Sequence, residues 1–471
     1  MQQTSHRFKD NVSVALQDEN LKIGLTRTTN LLRNRRTEAY RNYPNFEALR
    51  EAGKRIKDHA LDHIDFYLQQ FIENAEAAGC QVHVALNKAE ACAITVDILN
   101  QHGAKSVTRA KSMLGEEIGL PAALEAAGIT RVETDLAEHI NQLSGDDPAH
   151  IVVPALHKTH EQVRELFREN HANPTDLVEI PAMVESARIE LRSKYVAADA
   201  GITGANFLIA ESGTVCTVTN EGNAELTTEL PKLHIVTAGI EKIVANLDHT
   251  TTLLRLLARS ALGTEFTQYT SFFTGPKRPG ERDGPEAMHI VLVDNRRSDM
   301  LHGGMRDMLR CIRCGACMNH CPVYAQVGGH AYGFVYPGPM GAILTPQLSS
   351  LEQAPDLPHA CTLNGSCQQV CPVKIPLTDM IRELRVQTWE RGLVKGPAKI
   401  ALKLWAMAAK MPWLYRLGTR IALPMMRLWA RGKPSIASMP LAGGWTAARD
   451  LPTPPAQSFM AQYAQKEKGQ G

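Results

Sequence analysis

The stretch CIRCGACMNHCP sets Cys311, Cys314, Cys317, Cys321 and Pro322 in the spacing C-x2-C-x2-C-x3-C-P, and no other feature restricts the folding of this chain so strongly. Two residues between successive cysteines let one tight loop present three sulfurs inward. Gly315 lets the backbone come close to whatever they hold, and Pro322 turns the chain away. Zinc sites pair two short arms across a longer insert, which this run does not do. The spacing points instead to a cubane iron–sulfur cluster, and in two-cluster ferredoxins the fourth cysteine of such a run serves the other cluster.

A second arm follows. CTLNGSCQQVCP repeats the pattern with Cys361, Cys367, Cys371 and Pro372, but Asn364 stands where a cysteine is expected. Crossed ligation assigns Cys311, Cys314, Cys317 and Cys371 to cluster one, and Cys321, Cys361 and Cys367 to cluster two. Three outcomes are open for cluster two: 3Fe–4S, 4Fe–4S with one non-cysteine corner, or a labile or lost cluster. A neutral amide is a poor iron ligand beside thiolates, so the Asn364 corner is expected to differ from the others. His359 is either an ordinary loop histidine or a donor to that corner. Two bridged clusters lie close enough for electron hopping, and such a pair is expected to carry electrons singly. A purely structural pair, in a non-redox assembly scaffold, is the alternative.

Seven of the 10 cysteines crowd into these arms, and Cys80, Cys92 and Cys216 are scattered. The N-terminus MQQTSHRFKDNVSVALQDEN lacks the apolar run of a signal peptide. No uncharged apolar stretch of about 18 residues occurs, so no transmembrane helix is expected and a reducing, cytoplasmic setting is favoured. The net charge of +2 gives no field that would recruit nucleic acid. With 471 residues, 44% of them hydrophobic, the chain has material for several domains.

Four regions are expected. Residues 1–75 read as helical, with Leu49, Ile56, Ala60, Ile64, Leu68 and Ile72 at helical spacing, Asn45 as a cap and Gly79 as a stop. Residues 76–296 alternate apolar runs with helical patterns, the signature of an α/β domain with a largely parallel sheet. The strand candidates are QVHVAL, ITRVETD, HIVVPAL, ANFLIAES, TVCTVT, LHIVTAG and MHIVLVDN, and NEGN (220–223) suggests a hairpin and hence a mixed sheet. Residues 297–385 form an α-helical, ferredoxin-like two-cluster module, in which GGHAYGFVYPGPMGAILTPQL is too rich in Gly and Pro for a long regular element. Residues 386–471 are helical and basic, carry all five tryptophans, and end in a tail expected to be poorly ordered.

In the α/β domain, Lys105, Lys111 and Ser112 follow a candidate helix, Gly201, Thr203 and Gly204 precede a strand opened by Asn206, and Glu211 ends that strand. Ligands of open α/β sheets bind at the carboxyl ends of strands. Lys105, Lys111, Ser112, Gly204 and Glu211 are therefore a candidate anion site, with turn glycines and solvated lysines as the alternative. Glu211 in ESG is also a candidate nucleophile if the domain acts on CoA esters or sugar phosphates. No G-x-G-x-x-G or P-loop occurs, so no flavin or nicotinamide site is expected. From Gly392 to Arg449 there is no Asp or Glu, while Lys395, Lys399, Lys403, Lys410, Arg416, Arg420, Arg427 and Arg431 recur among apolar residues. Such helices, broken by Pro412 and Pro424, suit docking of 395–433 on a membrane surface or partner, or packing with the lysines turned outward.

The motif CIRCGACMNHCPVY, then GPMGAILTP and CTLNGSCQQVCPVKIPL, resembles the lactate utilisation protein B family, as do residues 132–158, 201–223 and 284–298. The resemblance runs from about residue 40 to at least 440. It implies an N-terminal domain of sugar-phosphate isomerase/CoA-transferase-like fold, a ferredoxin-like module and a family-specific C-terminal region. It also implies that the chain is the iron–sulfur subunit of a three-protein system oxidising L-lactate to pyruvate. The family has cysteine at the Asn364 position, so this chain departs from the pattern there.

Overall fold

The computed structural model describes residues 3–172, 177–394, 396–439, 443–446 and 449–468. Among the described residues, ten strands precede the cysteine arms: β1 (Gln81–Ala85), β2 (Ser106–Arg109), β3 (Thr130–Glu133), β4 (Ala200–Gly204), β5 (Phe207–Ile209), β6 (Thr214–Thr219), β7 (Leu233–Gly239), β8 (Ile243–Val244), β9 (Tyr269–Phe273) and β10 (Ala287–Val293). Six form a parallel sheet of order β1-β10-β7-β4-β2-β3, with Val291 opposite Thr237 and Ile202 opposite Ile235. Alternation along the strands buries both faces. Val291, Val293 and Ile235 join one core with Ile98, Leu99 and Leu124, while Ile290, Leu292 and Val236 join another with Phe71 and Leu208. The chain leaves β2 toward β3 but returns to place β4 on the other side of β2, and continues outward to β7. The strand order thus reverses between β2 and β4, which opens a crevice at their carboxyl ends.

The expected mixed pairing lies elsewhere, in a four-stranded sheet of order β8-β5-β6-β9 with antiparallel β5–β6 and β6–β9 pairs. NEGN makes no hairpin. Gly222, at φ 69°, starts the helix Asn223–Glu229 instead. HIVVPAL is not a strand, because His150 Nδ1 accepts the N–H groups of both Val152 and Val153 at 3.0 Å and folds the segment into turns. Gly201 to Gly204 does not merely precede a strand but forms β4. A Cβ on Gly201 would sit 1.7 Å from the Thr227 carbonyl oxygen, so only glycine fits that strand position.

The N-terminal region holds long helices: Glu19–Arg41 is capped by Asp18, and His63 separates Phe46–Asp62 from Ile64–Ala77. Asn45 precedes the second of these without a side-chain cap bond, and Gly79, at φ 96°, follows the last. The Gly/Pro-rich linker contains the helix Gly338–Leu348, with Pro346 inside it. Contacts divide the chain after Arg391 into two compact units. The second holds the helices Pro397–Lys410 and Pro412–Ala430; Pro412 opens the latter and Pro424 lies within it rather than ending it. Part of the tail is also ordered, as the helix Phe459–Lys468. Lys395 lies outside the described residues. No helix among the described residues is long and apolar enough to cross a membrane.

Candidate functional site

The two cysteine arms adopt the same backbone. Arg313 and Gly315 have φ 60° and 74°; Leu363 and Gly365, their counterparts, have φ 55° and 81°. A short helix follows each pair, Ala316–Asn319 and Ser366–Val370. Positive φ at a non-glycine residue is costly, so its recurrence at matching places identifies a loop shape that both arms require. The second arm keeps that shape although Asn364 has replaced the thiol.

Cys311, Cys314, Cys317 and Cys371 line one small cavity with Met308, Met340 and Leu377. Cys321, Cys361 and Cys367 form the other electrostatically linked group, beside Tyr332. Burial, then the neighbouring thiolates, pushes the thiols of Cys314 and Cys367 up to about 12; burial likewise pushes Cys371 up to about 11. Backbone N–H groups of Tyr324, Leu363 and Ile375 point at Cys321, Cys361 and Cys371 Sγ at 3.4, 3.3 and 3.4 Å. Buried sulfurs that repel one another and receive backbone donors fit a positively charged cluster that would draw off their protons. Among the described residues, no three His, Cys, Asp or Glu side chains are placed to hold a single metal ion. Asn364 is exposed, and its Oδ1 accepts the Ser366 N–H at 3.2 Å. His359 lies 3.5 Å from Thr388 Oγ1 through Nε2.

Arginines from the N-terminal helices brace this module. Arg36 Nη2 donates to the Val370 carbonyl at 2.8 Å, and Arg50 donates through Nε and Nη2 to the Cys371 carbonyl at 3.1 and 2.7 Å. Arg33 reaches the Asn319 carbonyl. Sequence reasoning missed these cations, because their only local signal is a charged helix far from the cysteines.

The crevice between β2 and β4 widens into a cavity of about 400 Å³. Lys111, Ser112 and Gly204 line it, at the carboxyl ends of β2 and β4. Lys105 is exposed at the opposite end of β2, and Glu211 lies in the exposed β5–β6 turn; neither lines the cavity. Lys111 Nζ is 3.4 Å from Asp135 Oδ2. The far wall was not foreseen: Glu241, Lys242, Arg297, Arg313 and Tyr336. Behind it the buried Glu117 carboxylate accepts from Arg297 Nη1 and Nη2 and Asn295 Nδ2 at 2.8 Å, and from Tyr336 Oη at 2.6 Å. Arg297 Nε also donates to Glu241 Oε2 at 2.6 Å, and Lys57 Nζ to the Glu241 carbonyl at 2.6 Å. Burial, reinforced by Arg313, lowers Lys242 to about 8.

Duplicated cysteine loops braced by arginines, beside a parallel α/β sheet, define a two-cluster iron–sulfur protein with an attached α/β domain. Family models agree: an LUD domain matches residues 68–293, a 4Fe-4S dicluster domain 307–375, and the lactate utilisation protein B C-terminal region 395–468. Lactate utilization protein B of Bacillus licheniformis is 40% identical over 99% of this chain and 98% of its own length. That of Lysinibacillus sphaericus is 39% identical over 100% and 99%. The chain belongs to the lactate utilization protein B family. A crystal structure of a DUF162 family protein from Deinococcus radiodurans aligns with 49% of this chain and 98% of its own at 14% identity, with a TM-score of 0.28, too low to support an argument.

Proposed function

We propose that this chain is the iron–sulfur electron-transfer subunit of a multi-protein system that oxidises L-lactate to pyruvate. The observation that carries the reading is the pair of adjacent cysteine cradles, Cys311, Cys314, Cys317 and Cys371 in one and Cys321, Cys361 and Cys367 in the other. Clusters held there would carry electrons one at a time. Converting a 2-hydroxy acid to a 2-oxo acid releases two electrons and two protons, so the two-electron step belongs to a partner subunit. The chain's own residues fix the thiolates, aim backbone donors at the sulfurs and place Arg36 and Arg50 where their charge favours reduction. Asn364, occupied in a local turn, leaves its corner of the second cradle to a non-cysteine ligand, or to none in a 3Fe–4S form. Low-temperature EPR with iron and sulfide counts distinguishes the two. A potentiometric titration tests the reading as a whole: clusters that cannot be cycled reversibly would leave only a structural role.

We further infer that the α/β domain is of the sugar-phosphate isomerase/CoA-transferase type, a reading supported by its parallel sheet with a cavity at the strand ends. Docking through the C-terminal helices is supported by the exposure of Trp405, Trp413, Leu428 and Trp429 beside Lys399, Lys403 and Arg427. Co-sedimentation with anionic vesicles at low salt tests the peripheral membrane form, and protein left in the supernatant would exclude it.

A further inference from the structure

The first cysteine cradle and the large cavity share a wall. Arg313 stands between Cys311 and Cys314, yet its side chain lines the cavity, over the Tyr336 ring at 4.6 Å and 3.3 Å from Glu241 Oε1. Met340 Sδ lies 3.5 Å from Cys311 Sγ and 3.6 Å from Arg313 Nη1. A single side chain therefore separates a cluster thiol from a group that faces the cavity.

That wall carries an excess of positive charge. Lys242, Arg297 and Arg313 face Glu241, with Glu117 behind, and both carboxylates are already engaged by Arg297. Lys242 makes no hydrogen bond or ion pair at contact distance among the described residues; Glu241 and Cys311 are the negative groups that act on it from farther away. A cation withdrawn from bulk water is unfavourable until an anion meets it. Elsewhere in the lining, Lys111 is paired to Asp135, with Glu221 nearby. Leu114, Leu257 and Leu262 supply apolar lining. The lining thus suits a molecule that combines an anionic group with an apolar part. At about 400 Å³ the space exceeds what a three-carbon acid fills and lies in the range of about 300–1,000 Å³ typical of drug-sized ligands.

We propose that this cavity binds an organic anion of roughly mononucleotide size, its anionic group against Lys242 and Arg313, and that occupancy lowers the reduction potential of the cluster in the first cradle. Negative charge placed across a wall one side chain thick disfavours adding an electron beyond it. The binding half stands on the cavity alone, and the coupling half rests on the electron-transfer reading.

The test uses the full-length protein with its clusters in place. Flavin mononucleotide, AMP, inorganic phosphate and L-lactate are titrated calorimetrically. At least one of the two mononucleotides is expected to bind about tenfold or more tightly than phosphate or lactate. Lys242→Met is expected to weaken that binding at least tenfold, and Ala258→Leu, which fills the cavity without altering charge, to weaken it similarly, with iron content unchanged in both. In an EPR-monitored titration, the bound mononucleotide moves the first cluster to lower potential in the unsubstituted protein. No mononucleotide binding at millimolar concentration, phosphate binding as tightly as a mononucleotide, or equal binding by both variants would overturn the site. Binding without a potential shift overturns the coupling. Reversible cycling without added ligand judges the electron-transfer reading separately.

Discussion

Glu117 joins the α/β domain to the cysteine module, and its replacement tests whether that joint holds the two together. Its carboxylate accepts four hydrogen bonds, two from Arg297 and one each from Asn295 and Tyr336, and its side chain is fully buried. Removing one partner of a buried ion pair costs about 3–5 kcal/mol, because the remaining charge has lost its compensation. Glu117→Ala leaves Arg297 with the Glu241 carboxylate and the Asp294 carbonyl, so a loss of about 3–5 kcal/mol is expected. Glu117→Gln keeps the shape and can still accept from Arg297, so a loss of about 1.5–3 kcal/mol is expected. Urea unfolding followed by far-UV circular dichroism and by cluster absorbance measures both variants. Acid provides a second arm. Burial alone would raise the Glu117 pKa, but Arg297 outweighs it and holds the group below its ordinary value. The network's contribution is therefore complete above the unfolded value of about 4.3 and is lost as pH falls through the lower folded value. The gap between the unsubstituted protein and Glu117→Gln should close over that fall. A loss under about 1 kcal/mol for Glu117→Ala, or a gap that does not narrow in acid, would refute the reasoning.

Three further outcomes are expected. Asn364→Cys places a thiol in a loop whose backbone already matches the intact arm; iron content should correspond to two full 4Fe–4S clusters, and any oxidised-state 3Fe–4S EPR signal should vanish. Arg50→Gln removes a cation bonded to the Cys371 carbonyl and should lower the first cluster's midpoint potential by on the order of tens of millivolts, read by potentiometric titration. Burial alone would raise Asp146, but Lys158 and His157 hold it down to about 2. Its stabilising contribution should therefore disappear between about pH 4 and its folded value, and Asp146→Asn should remove that part of the acid-unfolding profile.

Local spacing carried the cysteine arms, because a cluster loop is specified by residues a few positions apart. The same holds for β7 and β10, whose apolar runs are long enough to identify strands buried on both faces, and for the more exposed edge strand β1. HIVVPAL misleads because its composition suits a strand, whereas His150 bonds its own backbone and also sits 3.2 Å from Asn319 beside the cluster module. β2 and β4 escape notice because SVTR and AGITG are short, and Gly201 is required by a carbonyl that only the folded chain brings near. The cavity at the strand ends was half legible: the rule about strand ends selects Lys111, Ser112 and Gly204, which line it, but proximity in sequence groups Lys105 and Glu211 with them, and neither lines it.

By itself, then, the sequence determined which residues present sulfur, where their repeat departs at Asn364, and that a parallel α/β domain precedes them. Tertiary structure alone decided that Arg36 and Arg50 grip the cluster loops, and that Arg313 and Lys242 face one cavity with Glu117 behind their wall. Periodicity and ligand spacing are encoded over a few residues, whereas a buried charge network depends on which distant segments the cores bring together.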